Sequence, residues 1–244
     1  MRRSIRKKSA NKRRKSIRKK SSRKKSIRKK KYDGSSELGS GMSSVVYLVV
    51  LNDKQIAVKM LNNRRFYEKE KYILQEINKC TDSSLIIRLL DYIDKHKILF
   101  IEYNDMVSME DIIDKIPDNK KLHTAKKLFE ALQIIHNCNI THGDFKAKNT
   151  LISPDYDDIK VIDFGLSEIH TDTDINKEKR ILQDYTKFKF FLLQLFFNAE
   201  YDEYIYEEYP KRILEMNNMI NPENKEFIEF FNYINHKLTN NKWI

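Results

Sequence analysis

The spacing of apolar residues changes along the chain, and the first part has the pattern of a sheet with one helix. Two runs rich in β-branched residues, at 45–51 and 56–60, are separated by a polar Asn-Asp-Lys stretch that is typical of a β-hairpin. Residues 64–80 predict a helix, and two further strand-like runs follow at 85–92 and 97–103. The apolar face of this helix is predicted to contain Phe66, Ile73, Leu74 and Ile77.

From residue 124 onward the apolar spacing is mostly helical. Residues 124–137 predict one helix, a short buried strand is indicated at 161–162, and a second long helix is predicted from about Asn176. The richest apolar run, at 188–197, is interrupted by polar residues and is shorter than the ~20 residues that cross a bilayer. The pattern therefore predicts an α+β protein with strands in its first part and helices in its second.

Charge divides the chain at residue 31. Residues 1–31 contain 19 Lys or Arg and no acid, whereas the rest carries 28 bases against 35 acids, a net charge of −7. The first segment repeats Ser-Ile-Arg-Lys-Lys and has too little apolar surface to offset chain entropy, so we expect a disordered basic tail at 1–31 and a folded domain at 32–244. Nucleic acid, an acidic protein or an anionic membrane surface would each suit such a tail as a partner.

The chain has two cysteines, Cys80 and Cys138, without metal-ligand spacing around them. We expect buried free thiols in a reducing compartment. The N-terminus lacks the apolar centre of a secretory signal. These features predict a soluble intracellular protein of the cytoplasm or nucleus.

Two stretches contain candidate chemistry. Glycines at positions 39 and 41 precede the first strand, where backbone N–H groups can approach an anion. The second strand contains Ile-Ala-Val-Lys, and Lys59 at its end is costly to bury without an anionic partner. Further along, residues 141–153 read THGDFKAKNTLIS, which taken alone is typical of a solvated turn. Asp-Phe-Gly follows at 163–165.

The order of these motifs resembles the protein-kinase superfamily: a glycine-rich loop, a strand lysine, H-x-D-x-K-x-x-N and then D-F-G. The resemblance implies a bilobal α+β fold. Its small N-lobe, at 32–103, would be rich in strands, and its C-lobe, at 104–244, would be mainly α-helical and truncated. It also implies ATP and Mg²⁺ as cofactors.

The resemblance assigns roles to individual residues. Asp144 would orient the substrate hydroxyl, and Lys146 would steady the γ-phosphate. Lys59 would hold the α and β phosphates and pair with Glu70. The metal ligands would be Asn149 and Asp163. The nucleotide would contact Leu38, Gly39, Ser40, Gly41, Met42, Ser43, Ser44, Val45, Val46, Ala57, Lys59, Glu102, Asn104 and Leu151.

Some of these assignments leave alternatives. Glu70 is favoured because apolar residues follow it at +3, +4 and +7, while Glu68 and Glu76 stay open as the partner of the lysine. Ile101 would be the gatekeeper of the nucleotide cleft. By the same resemblance, His142 would bond backbone near the D-F-G segment.

The chain departs from the family pattern at several places. Ser44 stands at the third glycine, Gly143 stands where many regulated kinases have Arg, and no Ala-Pro-Glu follows D-F-G. Without that guanidinium, we do not expect control by activation-loop phosphorylation. Asp184, in the predicted long helix, would hold the catalytic-loop backbone. This compact pattern is similar to the RIO group, the small kinase of the KEOPS complex and kinases of large DNA viruses.

These observations predict an ATP- and Mg²⁺-dependent serine/threonine protein kinase, because Lys146 is typical of that class. Two alternatives remain open. One is an ATP-hydrolysing assembly factor of the KEOPS or RIO type that acts with RNA or a protein partner. The other is a small-molecule kinase.

Overall fold

A computed structural model describes residues 35–197 and 225–240 of the chain. The predicted basic tail at 1–31 lies outside the described residues, as do 198–224 and 241–244 of the predicted C-lobe. Within the described parts the chain has two lobes. The first is built on a sheet and the second mainly on helices, which confirms the α+β, bilobal prediction.

The first lobe is a five-stranded antiparallel sheet in the order β1-β2-β3-β5-β4. The strands are β1 (Ser36–Ser40), β2 (Ser44–Leu51), β3 (Lys54–Leu61), β4 (Leu89–Ile93) and β5 (Ile98–Glu102). The predicted hairpin is confirmed: β2 and β3 pair in continuous register around a two-residue turn. Asn52 and Asp53 in that turn have φ values of 50° and 61°, which Asn and Asp tolerate better than most residues.

Helix α1 (Arg64–Cys80) follows β3 and has the predicted bounds. Its N-terminus is capped by Asn63, whose side chain accepts a hydrogen bond of 2.8 Å from the backbone N–H of Arg65. The predicted buried face was wrong by one residue at its start. Phe66 is 41% exposed, whereas Tyr67 is fully buried because it continues the 3–4 spacing of the buried face.

The second lobe contains α2 (Asp118–Asn137), α3 (Lys177–Phe197) and α4 (Lys225–Asn240). Two small antiparallel sheets complete it. One contains β6 (Val107–Ser108), β8 (Thr150–Ile152) and β9 (Ile159–Val161), and the other pairs β7 (Ile140–Thr141) with β10 (Glu168–Ile169). Helix α2 begins six residues before its predicted start, since its first turn is polar and has no apolar signal. Its Phe129 ring contacts Phe230 of α4 at 6.0 Å between ring centroids.

The predicted strand at 85–92 divides into two parts. Only its second part belongs to the sheet, as β4. The first part contacts the other lobe: the backbone N–H of Ile87 donates to Val161 at 3.0 Å, and that of Val161 donates to Leu85 at 2.8 Å. These bonds join the linker before β4 to β9, directly beside the D-F-G segment.

The expectation of two free thiols was wrong. Cys80, the last residue of α1, is bonded to Cys138, which caps α2, with 5.8 Å between their Cα atoms. The two helix ends meet only in the folded chain, and a separation of 58 residues gave no sequence signal for the pairing. Of the helices in the described residues, none is both long and apolar enough to span a membrane.

Candidate active site

A cleft of about 610 Å³ lies between the sheet and the helical lobe. Most residues expected to contact a nucleotide or a metal line it. They are Leu38, Gly39, Ser40, Gly41, Ser44, Val46, Ala57, Lys59, Glu70, Glu102, Asn104, Asn149, Leu151 and Asp163. The cleft also includes polar residues that the sequence did not single out: Ser108, Glu110, Asp111 and Lys148.

Three expected contact residues do not line this cleft: Met42, Ser43 and Val45. Met42 is 99% exposed at the tip of the loop between β1 and β2. Because successive side chains of a strand point to opposite faces, Ser44 and Val46 face the cleft while Val45 faces away. Asp144 and Lys146 are also absent from the lining.

Lys59 joins the two lobes through its ammonium group. Its Nζ lies 2.5 Å from Oε1 of Glu70 on α1 and 2.9 Å from Oδ1 of Asp163 in the second lobe. The other candidate glutamates are engaged elsewhere: Glu68 pairs with Arg64 and Lys71, and Glu76 pairs with Lys79. The geometry therefore selects Glu70 as the partner of Lys59.

Burial and charge act in opposite directions on this cluster. Burial alone would lower the pKa of Lys59, but the carboxylates of Glu70 and Asp163 raise it above its ordinary value. Burial raises the pKa of Glu70, and Lys59 offsets only part of that rise. For Asp163 the effect of burial is outweighed by Lys59, which holds its pKa below the ordinary value. Asp163 is therefore an anion at neutral pH.

The peptide before Asp144 requires a glycine. Gly143 has a φ of 76°, and a Cβ there would lie 2.6 Å from the carbonyl oxygen of Leu166. A side chain is thus excluded both by the backbone conformation and by Leu166, the residue directly after D-F-G. This contact gives a physical reason for Gly143 at a position where many kinases have Arg.

Asp184 of α3 holds this loop, as the resemblance led us to expect. Its carboxylate accepts hydrogen bonds from the backbone N–H groups of His142, at 2.7 Å, and Gly143, at 2.8 Å. Nε2 of the buried His142 lies 3.2 Å from the carbonyl oxygen of Ile162, just before D-F-G. The expected backbone contact of His142 is confirmed.

Asp144 is held by two side chains of its own loop. The amide nitrogen of Asn149 donates to the backbone oxygen of Asp144 at 2.9 Å and to its Oδ2 at 2.8 Å. Nζ of Lys146 lies 3.0 Å from the same Oδ2. The carboxylate is about one-fifth exposed, so an acceptor molecule can reach it.

The segment after D-F-G is held to the catalytic loop by side-chain hydrogen bonds that the sequence did not predict. The hydroxyl of Ser167 donates to the backbone oxygen of His142 at 2.9 Å. The buried ring of His170 lies between Thr141, at 2.8 Å, and Asp174, at 2.7 Å. No local pattern marks these residues, because the contacts of Ser167 and Thr141 span 25 and 29 positions.

The donor atoms of the cleft fit the cofactors that the resemblance implies. Asp163 offers a charged carboxylate and Asn149 an amide oxygen, the ligand types that Mg²⁺ prefers. Among the described residues no group of three His, Cys, Asp or Glu forms a ready metal site. Oδ1 of Asn104, a cleft residue, is buried without a hydrogen-bond partner in the described structure, as expected for an atom that meets a ligand.

The two lobes, the cleft between them and the Lys59 cluster define a protein kinase domain. The family model for the protein kinase domain matches residues 32–187, which is more than half of the chain. The chain therefore belongs to the protein kinase family.

Three similar curated proteins are named as kinases. Myosin light chain kinase A of Dictyostelium discoideum is 29% identical over 151 residues, covering 57% of this chain and 51% of that protein. The serine/threonine-protein kinase prpf4B of the same organism is 32% identical over 158 residues, covering 57% of this chain and 20% of that protein. The probable serine/threonine-protein kinase fhkD, also from Dictyostelium discoideum, is 30% identical over 160 residues, covering 57% and 21%. The chain thus spans about half, or as little as a fifth, of the length of these relatives.

Proposed function

We propose that the chain is an ATP- and Mg²⁺-dependent serine/threonine protein kinase. The observation that carries the proposal is the Lys59 cluster. The Lys59 ammonium pairs with Glu70 of the first lobe at 2.5 Å and with Asp163 of the second lobe at 2.9 Å. These two ion pairs would hold the lobes in the arrangement that binds phosphate. Phosphoryl transfer depends mainly on positioning and electrostatic stabilisation, which such a preset cluster provides.

The residues around the cleft would divide the work. Lys59 would bind the α and β phosphates, and Asn104 would contribute a hydrogen-bonding oxygen to the ligand. Asn149 and Asp163 would hold Mg²⁺, which, when bound, supplies positive charge to the phosphate oxygens. Asp144 would accept or orient the proton of the acceptor hydroxyl, while Lys146 would turn from Asp144 to the transferred phosphoryl group.

The contacts of the segment after D-F-G favour an enzyme that needs no loop phosphorylation. Only residues 166–176 separate D-F-G from α3. Ser167 and His170 hold this segment through hydrogen bonds to His142 and Thr141. The short length of this segment supports a compact, atypical type of kinase. An assembly-factor ATPase is the second candidate function. The basic tail at 1–31 would bring the enzyme to a negatively charged partner.

The experiment is a transfer assay that identifies the acceptor. The full chain is incubated with Mg²⁺ and γ-labelled ATP, with generic protein substrates, and the products are separated and identified by mass spectrometry. Label on Ser or Thr of a protein is the expected result. Label only in free phosphate would favour the ATPase. Label only in a small molecule would favour a small-molecule kinase. Asp144→Asn is the inactive variant, and Asp118→Asn, at an exposed position on α2, is the matched control.

A further inference from the structure

Lys187 of α3 contacts the catalytic loop, although no motif in the sequence marks it. Its ammonium donates a hydrogen bond to the carbonyl oxygen of Gly143 and lies 3.8 Å from Oδ1 of Asp144. The side chain is 17% exposed, so it is largely enclosed at the edge of the loop. Lys187 is thus near Oδ1 of Asp144, whereas Lys146 and Asn149 of the loop contact Oδ2.

The same face of α3 contacts both polar backbone groups of one residue, the N–H and the C=O of Gly143. Asp184 and Lys187 are three residues apart, so their side chains are neighbours on the helix. Asp184 accepts the N–H of Gly143, and Lys187 donates to the carbonyl of the same residue. An anion and a cation of the same helix, α3, thus bind the backbone immediately before Asp144.

The two cations beside Asp144 differ in what they can do during a reaction. Nζ of Lys146 lies 3.0 Å from Oδ2 of Asp144, and a phosphoryl group would compete with this carboxylate for the ammonium. Lys187 is bound at its other contact to a backbone oxygen. When Lys146 turns to the phosphoryl group, Lys187 stays with Asp144 and keeps it in place.

A cation from the helix also fits the special backbone at Gly143. No side chain can be placed at this position, because a Cβ there would lie 2.6 Å from the Leu166 oxygen. A cationic side chain directly before Asp144 is therefore excluded. Lys187 supplies a cation from α3 instead.

We propose that Lys187 is a positioning residue that orients Asp144 for phosphoryl transfer through the Gly143 carbonyl and the Asp144 carboxylate. The proposal rests on the proposed function. It adds a built-in cation that sets the catalytic loop without modification of the segment that follows D-F-G. Lys187 itself need not touch either substrate.

The test compares three full-length variants with the wild type. Lys187→Met removes the ammonium, Lys187→Arg keeps a cation, and Lys189→Met removes a neighbouring half-buried lysine of α3 as the matched control. We expect Lys187→Met to lower kcat about 10- to 100-fold, the size of effect that follows misplacement of a reacting group. The KM for ATP should change less than about 3-fold, since Lys187 does not line the cleft. Lys187→Arg should recover most of kcat, and Lys189→Met should retain it.

Hydrogen exchange of the peptide that covers residues 141–146 provides a second readout that needs no activity. Exchange should become faster in Lys187→Met and stay unchanged in Lys189→Met. The proposal is overturned if Lys187→Met leaves kcat or the exchange at wild-type values, or if kcat falls together with nucleotide affinity. A wild type that transfers no phosphate would contradict the proposed function instead, and the exchange rates would still decide whether Lys187 positions the loop.

Discussion

Replacing Lys59 by methionine leaves a carboxylate buried without its cation, and the structure sets the expected loss of stability. The side chains of Lys59 and Glu70 are 8% and 3% exposed, and 2.5 Å separates their charged atoms. Removing one partner of a buried pair costs about 3–5 kcal/mol, because the remaining charge is neither hydrated nor neutralised. Asp163 is about half exposed and would add little, since water can replace its partner.

The loss should depend on pH in a definite direction. The pKa of Glu70 is already raised in the folded state by burial, and removing Lys59 raises it further. An acid whose pKa is raised on folding stabilises the folded state while it is protonated. For Glu70 this stabilisation is complete below the unfolded pKa, near 4.5, and it is lost as the pH rises through the folded pKa. The deficit of Lys59→Met should therefore be largest at pH 8 and should shrink as the pH is lowered towards 4.5.

Urea unfolding followed by circular dichroism, at pH 8 and pH 5.5, measures this effect. The double variant Lys59→Met/Glu70→Gln has no buried carboxylate at this site, so it should be more stable than Lys59→Met at pH 8. It should also lose most of the pH dependence. The reasoning is refuted if Lys59→Met is as stable as wild type at both pH values, or if the double variant gains nothing over the single one.

Two further predictions concern the disulfide and the glycine before Asp144. Reduction, or Cys80→Ser with Cys138→Ser, opens a link between residues 58 positions apart and should lower the unfolding free energy by up to ~4 kcal/mol; urea unfolding with and without reductant tests this, and identical curves would contradict it. Gly143→Ala places a Cβ 2.6 Å from the Leu166 oxygen at a positive φ. This variant should lower the free energy of unfolding by about 1–3 kcal/mol and should also reduce phosphate transfer. In Gly39→Ala nothing lies within 4 Å of the new Cβ, so unfolding should change little, and an equal loss in both variants would count against the steric argument.

Short-range sequence patterns predicted much of the fold. The bounds of α1 were predicted because a repeated apolar face lies within the helix itself. The β2–β3 hairpin was predicted because its two β-branched runs and the polar turn between them are adjacent in the sequence. The strand predicted at 85–92 was only half correct, because Leu85 and Ile87 bond to Val161, more than 70 residues away. No periodicity within a short window can report such a partner.

The candidate site shows the same division. Motif spacing led to Lys59, Asp144 and Asp163. The apolar spacing already favoured Glu70, and the folded geometry removed the alternatives Glu68 and Glu76. Lys187 could not be predicted at all, since it resembles any other lysine of an amphipathic helix until α3 is packed beside the catalytic loop. The Cys80–Cys138 bond was missed because it depends on where two helix ends meet.

The central claim is that Asp144 serves phosphoryl transfer and not nucleotide capture. It is tested most directly by measuring, in the full chain and in Asp144→Asn, the rate of phosphate transfer from Mg-ATP to protein and the Kd for the nucleotide. We predict that transfer falls at least about 100-fold, the scale of general acid–base catalysis, while the Kd changes less than about 3-fold. Transfer at the wild-type rate by Asp144→Asn, or no transfer by a folded wild type that binds ATP, would contradict the account.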